Sequence, residues 1–455
     1  MSEDAKDIPQ VNNKNKIHVT KLGPRIVSIV FMLGTVGQIA WAVENTWFNT
    51  FIYDEITPNP APIAWMVAVS AATATITTLF MGTLSDRTKT RLGRRKPFIL
   101  FGYILWGIIT AIFPLVAWIK TLGVAIVMVV ILDAIMTFFG STANDAAYNA
   151  WLTDVSDSTN RNRIQGYNTI TILLANLIAI GAAGIIIENW GYYVFFYLLG
   201  GIVTLIGLIA GLLLKDPKSS LLAAEEKKEE KKPLFKEFIE IFKPENWKQN
   251  KVLYLLFFNL ALTGIGSQIF MPYLFIYIEY ALGYTKLYLS LIGGIVILLS
   301  AIVSLLVGLF SHRVNRMLLL YIGIILNSLA LVAFAFVQNI FLVIFVYFLA
   351  LSAQMTATIV HSGWMLDLYP SDKIGKFQGV RMIFFVAIPM IIGPPIGSAI
   401  IENLGTPAII NGQDGFIPHF AIFLVAAAII ILSIIPLLFI KWNQGRIAVK
   451  NEINK

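Results

Sequence analysis

The chain has 455 residues, of which 57% are hydrophobic and only 13% are charged, whereas soluble domains carry about 25% charged residues. Its mean hydropathy of +0.75 indicates a polytopic helical membrane protein. The absence of cysteine excludes disulfides, thiol catalysis and thiolate metal sites. The formal net charge of +8 would suit nucleic acid, but the cations lie in alternate loops between apolar segments, as membrane insertion requires. We therefore expect no nucleic-acid partner.

Apolar stretches long enough to cross a bilayer, about 20 residues, occur twelve times along the chain. The predicted spans are 26–53, 62–84, 97–119, 122–152, 166–187, 191–214, 251–280, 287–310, 316–337, 339–366, 377–401 and 416–441. The fold class predicted from them is an all-α membrane protein with twelve transmembrane helices. The segment before the first span is polar and basic, so we expect no cleavable signal peptide.

Lysine and arginine are distributed very unevenly between the two sides of this layout. Of the 34 such residues, 31 lie at the termini, in alternate loops or at the span ends that adjoin them, and only Lys120 and Lys286 lie in the opposite loops. Because short cytoplasmic loops carry the excess of cations, both termini are predicted to be cytoplasmic, in a multi-pass protein of the cell membrane. The predicted domains are a cytoplasmic amino-terminal segment at 1–25, six-helix bundles at 26–214 and 251–441, a cytoplasmic linker at 215–250 and a cytoplasmic tail at 442–455.

The linker between the two bundles is rich in glutamate and lysine, which predicts a solvated segment. Its second part places four apolar side chains on one helical face, namely Phe235, Phe238, Ile239 and Phe242. This spacing predicts an amphipathic helix on the cytoplasmic membrane surface, with a plain tether as the alternative.

The two bundles are related by an internal repeat. Trp151, Asp154 and the pair Gln165-Gly166 recur as Trp364, Asp367 and Gln378-Gly379, each displaced by 213 residues. Four matching positions at one displacement indicate duplication of a six-helix unit. A transporter built from two such parallel repeats holds its substrate between the halves, near the middle of the membrane.

Polar and ionisable side chains within the spans concentrate on spans 1, 4, 7 and 10, which is informative because such groups are costly in hydrocarbon and face a bundle interior or an aqueous cavity. On each span, helical periodicity places most of the polar residues on one face or beside it. They are Gln38, Trp41, Glu44, Asn45 and Asn49 on span 1; Asp133, Thr137, Ser141, Asn144, Asp145 and Tyr148 on span 4; Gln268 on span 7; and Gln354, Thr358 and His361 on span 10. Each lone amide or hydroxyl also fits interhelical packing, and His361 also fits a packed neutral histidine.

Charged residues near the span ends have a different expected role. Asp154, Asp367 and Arg381 lie near the predicted cytoplasmic face, where we expect interhelical charge contacts that gate the inner side. Asp54 and Glu55 lie at the opposite end of span 1 and are expected to be solvated.

The most distinctive stretch is the basic loop after span 2, Gly82 to Lys96, with the sequence GTLSDRTKTRLGRRK. Its Gly82-x-x-x-Asp86-Arg87 and Gly93-Arg94-Arg95-Lys96 resemble the loop signature of the major facilitator superfamily. The five-residue spacer and the following Pro97-Phe98 resemble the form seen in glycoside–pentoside–hexuronide:cation symporters and plant sucrose transporters. This resemblance implies that spans 1, 4, 7 and 10 line a central cavity. It also implies that Asp86, with Arg87 and Arg94, gates the cytoplasmic side by contacting the start of span 11.

Local motifs within the spans extend this resemblance. Asp145 with Tyr148 is similar to the span-4 motif of melibiose permeases, whose aspartate serves a cation site. Their two acids on span 2 are replaced here by Ala74 and Thr78, which removes ligands that sodium would need. A proton needs only one titratable carboxyl, so we expect proton coupling, with sodium as the alternative. The candidate cation-coupling residues, in order of preference, are Asp145, Glu44 and Asp133.

Taken together, these features predict a secondary active transporter that takes up a sugar or glycoside with a cation by alternating access. The expected substrate-binding residues are Gln38, Trp41, Asn45, Asn144, Tyr148, Gln268, Gln354 and His361, with Tyr148 and His361 facing each other across the cavity. The alternatives are an exporter or carrier of another small polar solute, and a non-transporting sensor with the same fold. The sequence contains no H-E-x-x-H or G-x-S-x-G motif, so we do not expect an enzyme, and we expect a monomer without metal or cofactor.

Overall fold

A computed structural model describes residues 23–156, 160–216, 247, 250–370 and 374–442. Eleven helices in these ranges are long and apolar enough to cross a membrane, and the longest breaks at Gly191, whose φ of 80° is not helical. Divided there, the described residues form twelve membrane helices, as predicted. They are α1 Pro24–Ile56, α2 Pro60–Arg87, α3 Lys96–Trp118, α4 Leu122–Asp154, α5 and α6 within Arg163–Leu213, α7 Lys251–Ala281, α8 Lys286–Phe310, α9 Arg316–Phe334, α10 Ile340–Leu368, α11 Phe377–Leu404 and α12 Ala421–Trp442.

Two of the helices with many polar residues are irregular. Helix α1 is α-helical over Pro24–Glu44, breaks at Asn45 and Thr46, and ends in a wide π-helical turn at Ile52–Ile56. Helix α4 contains a π-helical segment at Ser141–Tyr148. π-helical turns are rare and occur frequently at functional sites. These interruptions therefore indicate a functional role for α1 and α4, two of the helices that the polar sequence pattern also indicates.

The predicted start of the last span was wrong. The chain forms an antiparallel hairpin there, with strands β1 Thr406–Ile410 and β2 Gln413–Ile417, before α12 begins. Its two-residue turn is Asn411-Gly412, with φ of 50° and 79°, as a type I′ turn requires. The Asn-Gly dipeptide, which lies in the loop between the last two predicted spans, is a strong sequence signal for such a hairpin.

The two halves pack along two seams, α2 against α11 and α5 against α8. We call the end of the bundle that carries the loop after α2 the motif face, and the opposite end the distal face. The seam of α5 and α8 is unusually close at Gly184, where a Cβ atom would lie 2.1 Å from the Lys286 carbonyl oxygen. The predicted linker helix and both terminal segments lie outside the described residues.

The basic loop is shorter than predicted, because α2 continues through Arg87 and α3 begins at Lys96. Gly93, with φ of 116°, closes a tight turn in which its N–H donates to the Thr90 carbonyl at 3.0 Å. The Asp216 carboxylate then accepts hydrogen bonds from the backbone N–H groups of Arg94 and Arg95. An acid from the end of α6 therefore satisfies unpaired N–H groups at the start of α3.

Gly93 should be intolerant of any side chain. A Cβ atom there would lie 2.2 Å from an Asp216 carboxylate oxygen, and a positive φ is unfavourable for other residues. We expect Gly93→Ala to lower the free energy of unfolding by about 1–3 kcal/mol, measured by thermal melting of the purified protein. Gly82→Ala is the matched control, because this helical glycine has nothing within 4 Å of the added Cβ; equal melting of the two variants would contradict the prediction.

Candidate functional site

A buried polar cluster lies between α1, α2 and α4 in the first half. Ser70 Oγ donates to Glu44 Oε1 at 2.8 Å, and Thr137 Oγ1 donates to the same oxygen at 3.2 Å. Asp133 is fully buried on α4, and both of its carboxylate oxygens lack a hydrogen-bond partner, as does Glu44 Oε2. Two of the three predicted cation-coupling acids therefore lie buried in this part of the first half.

The third acid, Asp145, lies further along α4 in its π-helical segment and is only half-buried. The predicted ligand Trp41 is also half-buried and packs against Trp106 with ring centroids 4.9 Å apart. Gln38 is half-buried as well, and Asn45 is exposed, with its amide donating to the Trp41 carbonyl at 2.8 Å. These four side chains keep the exposure that contact with a solute requires.

Two predicted ligands in the first half make hydrogen bonds that reach neighbouring helices. Asn144 is buried and its amide donates to Tyr103 Oη at 2.7 Å, which in turn donates to the Leu33 carbonyl at 3.0 Å. Tyr148 is buried and its hydroxyl lies 3.1 Å from the Val30 carbonyl oxygen. Their hydrogen-bonding groups join α4 to α1 and α3 in this conformation, and the substrate role predicted for them stays a prediction.

The second half contains a small pocket that brings the predicted α10 residues together. Gln354 Nε2 donates to Ser267 Oγ at 3.0 Å, and His361 Nε2 contacts Asn259 Oδ1 on α7. The pocket is lined by Leu260, Thr263, Gly264, Ser267, Gly323, Ile324, Asn327, Gln354, Ala357, Thr358, His361, Phe385 and Ile430. Gln268 is half-buried on α7, against Gly393 of α11.

The facing of Tyr148 and His361 across a cavity stays a prediction. Each of the two side chains hydrogen-bonds within its own half of the protein. The sequence analysis also missed Asn259 and Ser267, because α7 is apolar around them and their partners lie on another helix. The position of His361 carried no information about which helix would supply its partner.

The charges of the motif face also act within the halves. Arg94 Nη2 makes hydrogen bonds of 3.0 and 2.9 Å to the two Asp154 oxygens, while Arg95 pairs with both Asp86 and Asp154. The predicted interhelical charge contact of Asp154 is thus present, between α4 and the start of α3. The predicted contact of Asp86 with the start of α11 belongs to the state in which this face is closed, and the gating roles stay predictions. The remaining predicted gating residues are placed as follows: Arg87 is exposed, Asp367 pairs with Arg316 at 2.6 Å, and Arg381 donates to Ser362 Oγ at 3.2 Å.

The strongest link between the halves is on the distal face, at Asp54, which the sequence analysis treated as solvated. The side chain of Asp54 is only 5% exposed, and its carboxylate is 2.9 Å from Lys286 Nζ of α8. Tyr192 and Tyr280 donate to its two oxygens at 2.6 and 2.7 Å. The Asn411 amide donates to its backbone carbonyl at 2.9 Å. One acid of the first half thus binds α7, α8 and the hairpin turn of the second.

Other contacts close the same face. The Phe416 N–H donates to the Pro58 carbonyl at 3.1 Å, and Tyr273 donates to the Pro60 carbonyl at 3.3 Å. Among the described residues, the ion pair and most of the hydrogen bonds between the two halves lie at the distal face. The remaining hydrogen bonds between the halves lie where α5 meets α8. The structure is therefore held closed on the distal face.

Two six-helix halves joined at the distal face, each with buried polar side chains between its helices, are the architecture of a membrane transporter. The sequence profile of the Major Facilitator Superfamily matches residues 29–384 and 256–452. The chain belongs to this superfamily.

Curated relatives match over part of the chain. Multidrug resistance protein MdtG of Proteus mirabilis (strain HI4320) is 27% identical over 220 residues, which is 47% of this chain and 50% of that protein. MdtG of Rahnella sp. (strain Y9602) is 25% identical over 218 residues, 47% and 48% of the two chains. The matched region is thus about half of each relative.

Solved structures match over most of the chain. The nucleoside transporter NupG, solved as a point mutant, superposes with a TM-score of 0.69 at 15% identity, covering 91% of this chain and 99% of that one. A bacterial homologue of the human lysosomal transporter Spinster, in an inward-facing and unoccupied conformation, superposes with a TM-score of 0.65 at 13% identity, covering 91% and 95%. These likenesses establish the fold.

Removing the charge of Asp54 should open the distal face. Asp54→Asn weakens hydrogen bonds to a charged group, each worth about 1.5–3 kcal/mol, so we expect the distal-open population to rise about tenfold or more. Because the chain has no cysteine, spin labels on Lys120→Cys and Ile409→Cys, both exposed on the distal face, report the opening by double electron–electron resonance. Glu55→Gln, a neighbouring exposed acid, is the control; an unchanged distance distribution in Asp54→Asn would refute the closing role of this contact.

Asp86→Asn should have the opposite effect. Asp86 is 56% exposed in this distal-closed state, which leaves it accessible to the start of α11 once the motif face closes. There, unpaired N–H groups at a helix start favour an anion. We expect Asp86→Asn to shift the population toward the distal-closed state and slow transport without lowering the melting temperature, with Glu402→Gln as control. Transport at the wild-type rate would exclude this latch.

Proposed function

We propose that the protein is a cation-coupled carrier of a sugar, a glycoside or a similar small polar solute. The observation that carries the proposal is the division of chemistry between the halves. The first half holds three acids, Glu44, Asp133 and Asp145, none of which is in a described ion pair. The second half holds an amide, hydroxyl and imidazole pocket around Gln354 and His361. Acids suit a cation, and neutral hydrogen-bonding groups suit hydroxyl-rich solutes.

The substrate path proposed here runs between the halves. Half-buried Gln38 and Trp41 from α1 and Gln268 from α7 provide amides and an aromatic surface, which are the groups that bind sugar rings. With the cation-rich motif face in the cytoplasm, the distal-closed conformation is an inward-facing state. Reporter fusions at residue 225 that report an external location would overturn this orientation.

An exporter of another solute is the second candidate, and a specific observation favours it. The curated relatives are named multidrug resistance proteins, and they match about half of this chain. A structural neighbour is named a nucleoside transporter. A sensor that keeps the fold without transporting is separated from both by counterflow of labelled solute in proteoliposomes.

For the transported cation, we propose a proton carried by Asp145. This acid is half-buried, so protons reach it more easily than the enclosed Glu44 and Asp133. Span 2 supplies Ala74 and Thr78 rather than acids, so the sodium ligands of the symporters that the sequence resembles are missing near it.

Uptake into proteoliposomes tests the proposal directly. A thermal-shift panel of mono- and disaccharides first selects the solute, since a ligand bound only by the folded state raises the melting temperature. We expect an imposed pH gradient to drive accumulation of that solute. Asp145→Asn should abolish uphill accumulation while sparing exchange, because exchange needs no net proton movement. Glu402→Gln is the control; accumulation driven by sodium alone, at constant pH and potential, would contradict Asp145 as the coupling site.

A further inference from the structure

The buried pocket of the first half contains more oxygen atoms than its hydrogen bonds use. Glu44 Oε2 and both oxygens of Asp133 have no hydrogen-bond partner, and the exposed fractions of these residues are 6% and 0%. Buried polar atoms without partners are rare, and an ion missing from the coordinates is one physical explanation. A single proton joins at most two of these three oxygens, so it leaves one without a partner.

Negative charge on these buried carboxyl groups would have to be compensated by a proton or by a metal cation. The Glu44 carboxyl group lies between α1, α2 and α4, with the hydroxyls of Ser70 and Thr137 as its described hydrogen-bonding neighbours. Asp133 precedes Thr137 by about one turn of α4. Neither acid is in an ion pair with any lysine, arginine or histidine that the structure describes. Burial of uncompensated carboxylates is very unfavourable.

The backbone at the pocket provides a second, independent indication. The regular part of α1 ends at Glu44, and the chain resumes its helix only at Trp47. A helix carboxyl end carries partial negative charge that favours a cation. In secondary transporters, interrupted membrane helices coordinate sodium or protons in this way.

We infer that Glu44, Ser70, Asp133 and Thr137 form a binding site for one hard monovalent cation, namely sodium. Carboxylate and hydroxyl oxygens suit hard cations rather than soft metals. With one of its two carboxyl groups protonated, a site of two acids and two hydroxyls carries a single negative charge, which balances a monovalent ion. The site lies about three helical turns from Asp145 along α4, and it is separate from the proton site proposed there.

The inference is tested by sodium binding, which does not depend on the transported solute. Full-length protein in detergent is melted at constant pH and ionic strength while choline chloride is replaced by sodium chloride. We expect a saturating rise in the melting temperature with sodium, reproduced by lithium and much weaker with potassium. Glu44→Gln and Asp133→Asn should abolish the rise, while Asp145→Asn should retain it.

Milder variants keep the test informative if a carboxamide variant fails to fold. Ser70→Ala and Thr137→Val each remove one hydroxyl, and each should raise the half-saturating sodium concentration about tenfold or more. Direct binding of ²²Na⁺ to wild type and to these variants provides the second measurement. A wild-type melting temperature that responds to pH but not to sodium, or a sodium response that survives both carboxamide variants, would overturn the site. Failure of sugar uptake would leave this result unaffected.

Discussion

The closed conformation depends on one buried carboxylate. Asp54 takes hydrogen bonds from Tyr192 and Tyr280 and pairs with Lys286, which also binds Glu279 at 2.5 Å. These groups come from both halves, so the distal face closes only when the halves approach along α5 and α8. A buried charge is stable only when it is paired, which makes this contact selective for one arrangement of the bundles.

The same cost of burying polar groups explains why many polar residues of the spans bind each other. Asn144 and Tyr148 satisfy their hydrogen bonds on neighbouring helices of the first half, and His361 does so in the second. In hydrocarbon an unsatisfied amide or hydroxyl costs several kcal/mol. Glu44 and Asp133 are two of the residues that keep buried oxygens without a hydrogen-bond partner, and both are acids on helices of the first half.

The duplication left the two halves chemically unequal. Asp145 has Thr358 at the equivalent position of the repeat, and the acids of the buried pocket also have no acidic counterparts in the second half. In the proposed carrier, one half would handle the ion and the other would contribute neutral ligands. Such coupling would act through the contact surface between the halves, which is formed by the seams of α2 with α11 and α5 with α8.

The sequence by itself determined the twelve helices, the repeat and the superfamily, because hydrophobic length and a local loop motif are properties of contiguous residues. It also identified the polar helices, since periodicity decides which residues share a face. Only the tertiary structure decided what each polar group contacts. The hydroxyls that bind Glu44, the arginines that bind Asp154 and the partners of Asp54 are brought together from other parts of the chain. Asp54 was misread because exposure at a helix end depends on the opposite half of the protein, and no local pattern describes that half.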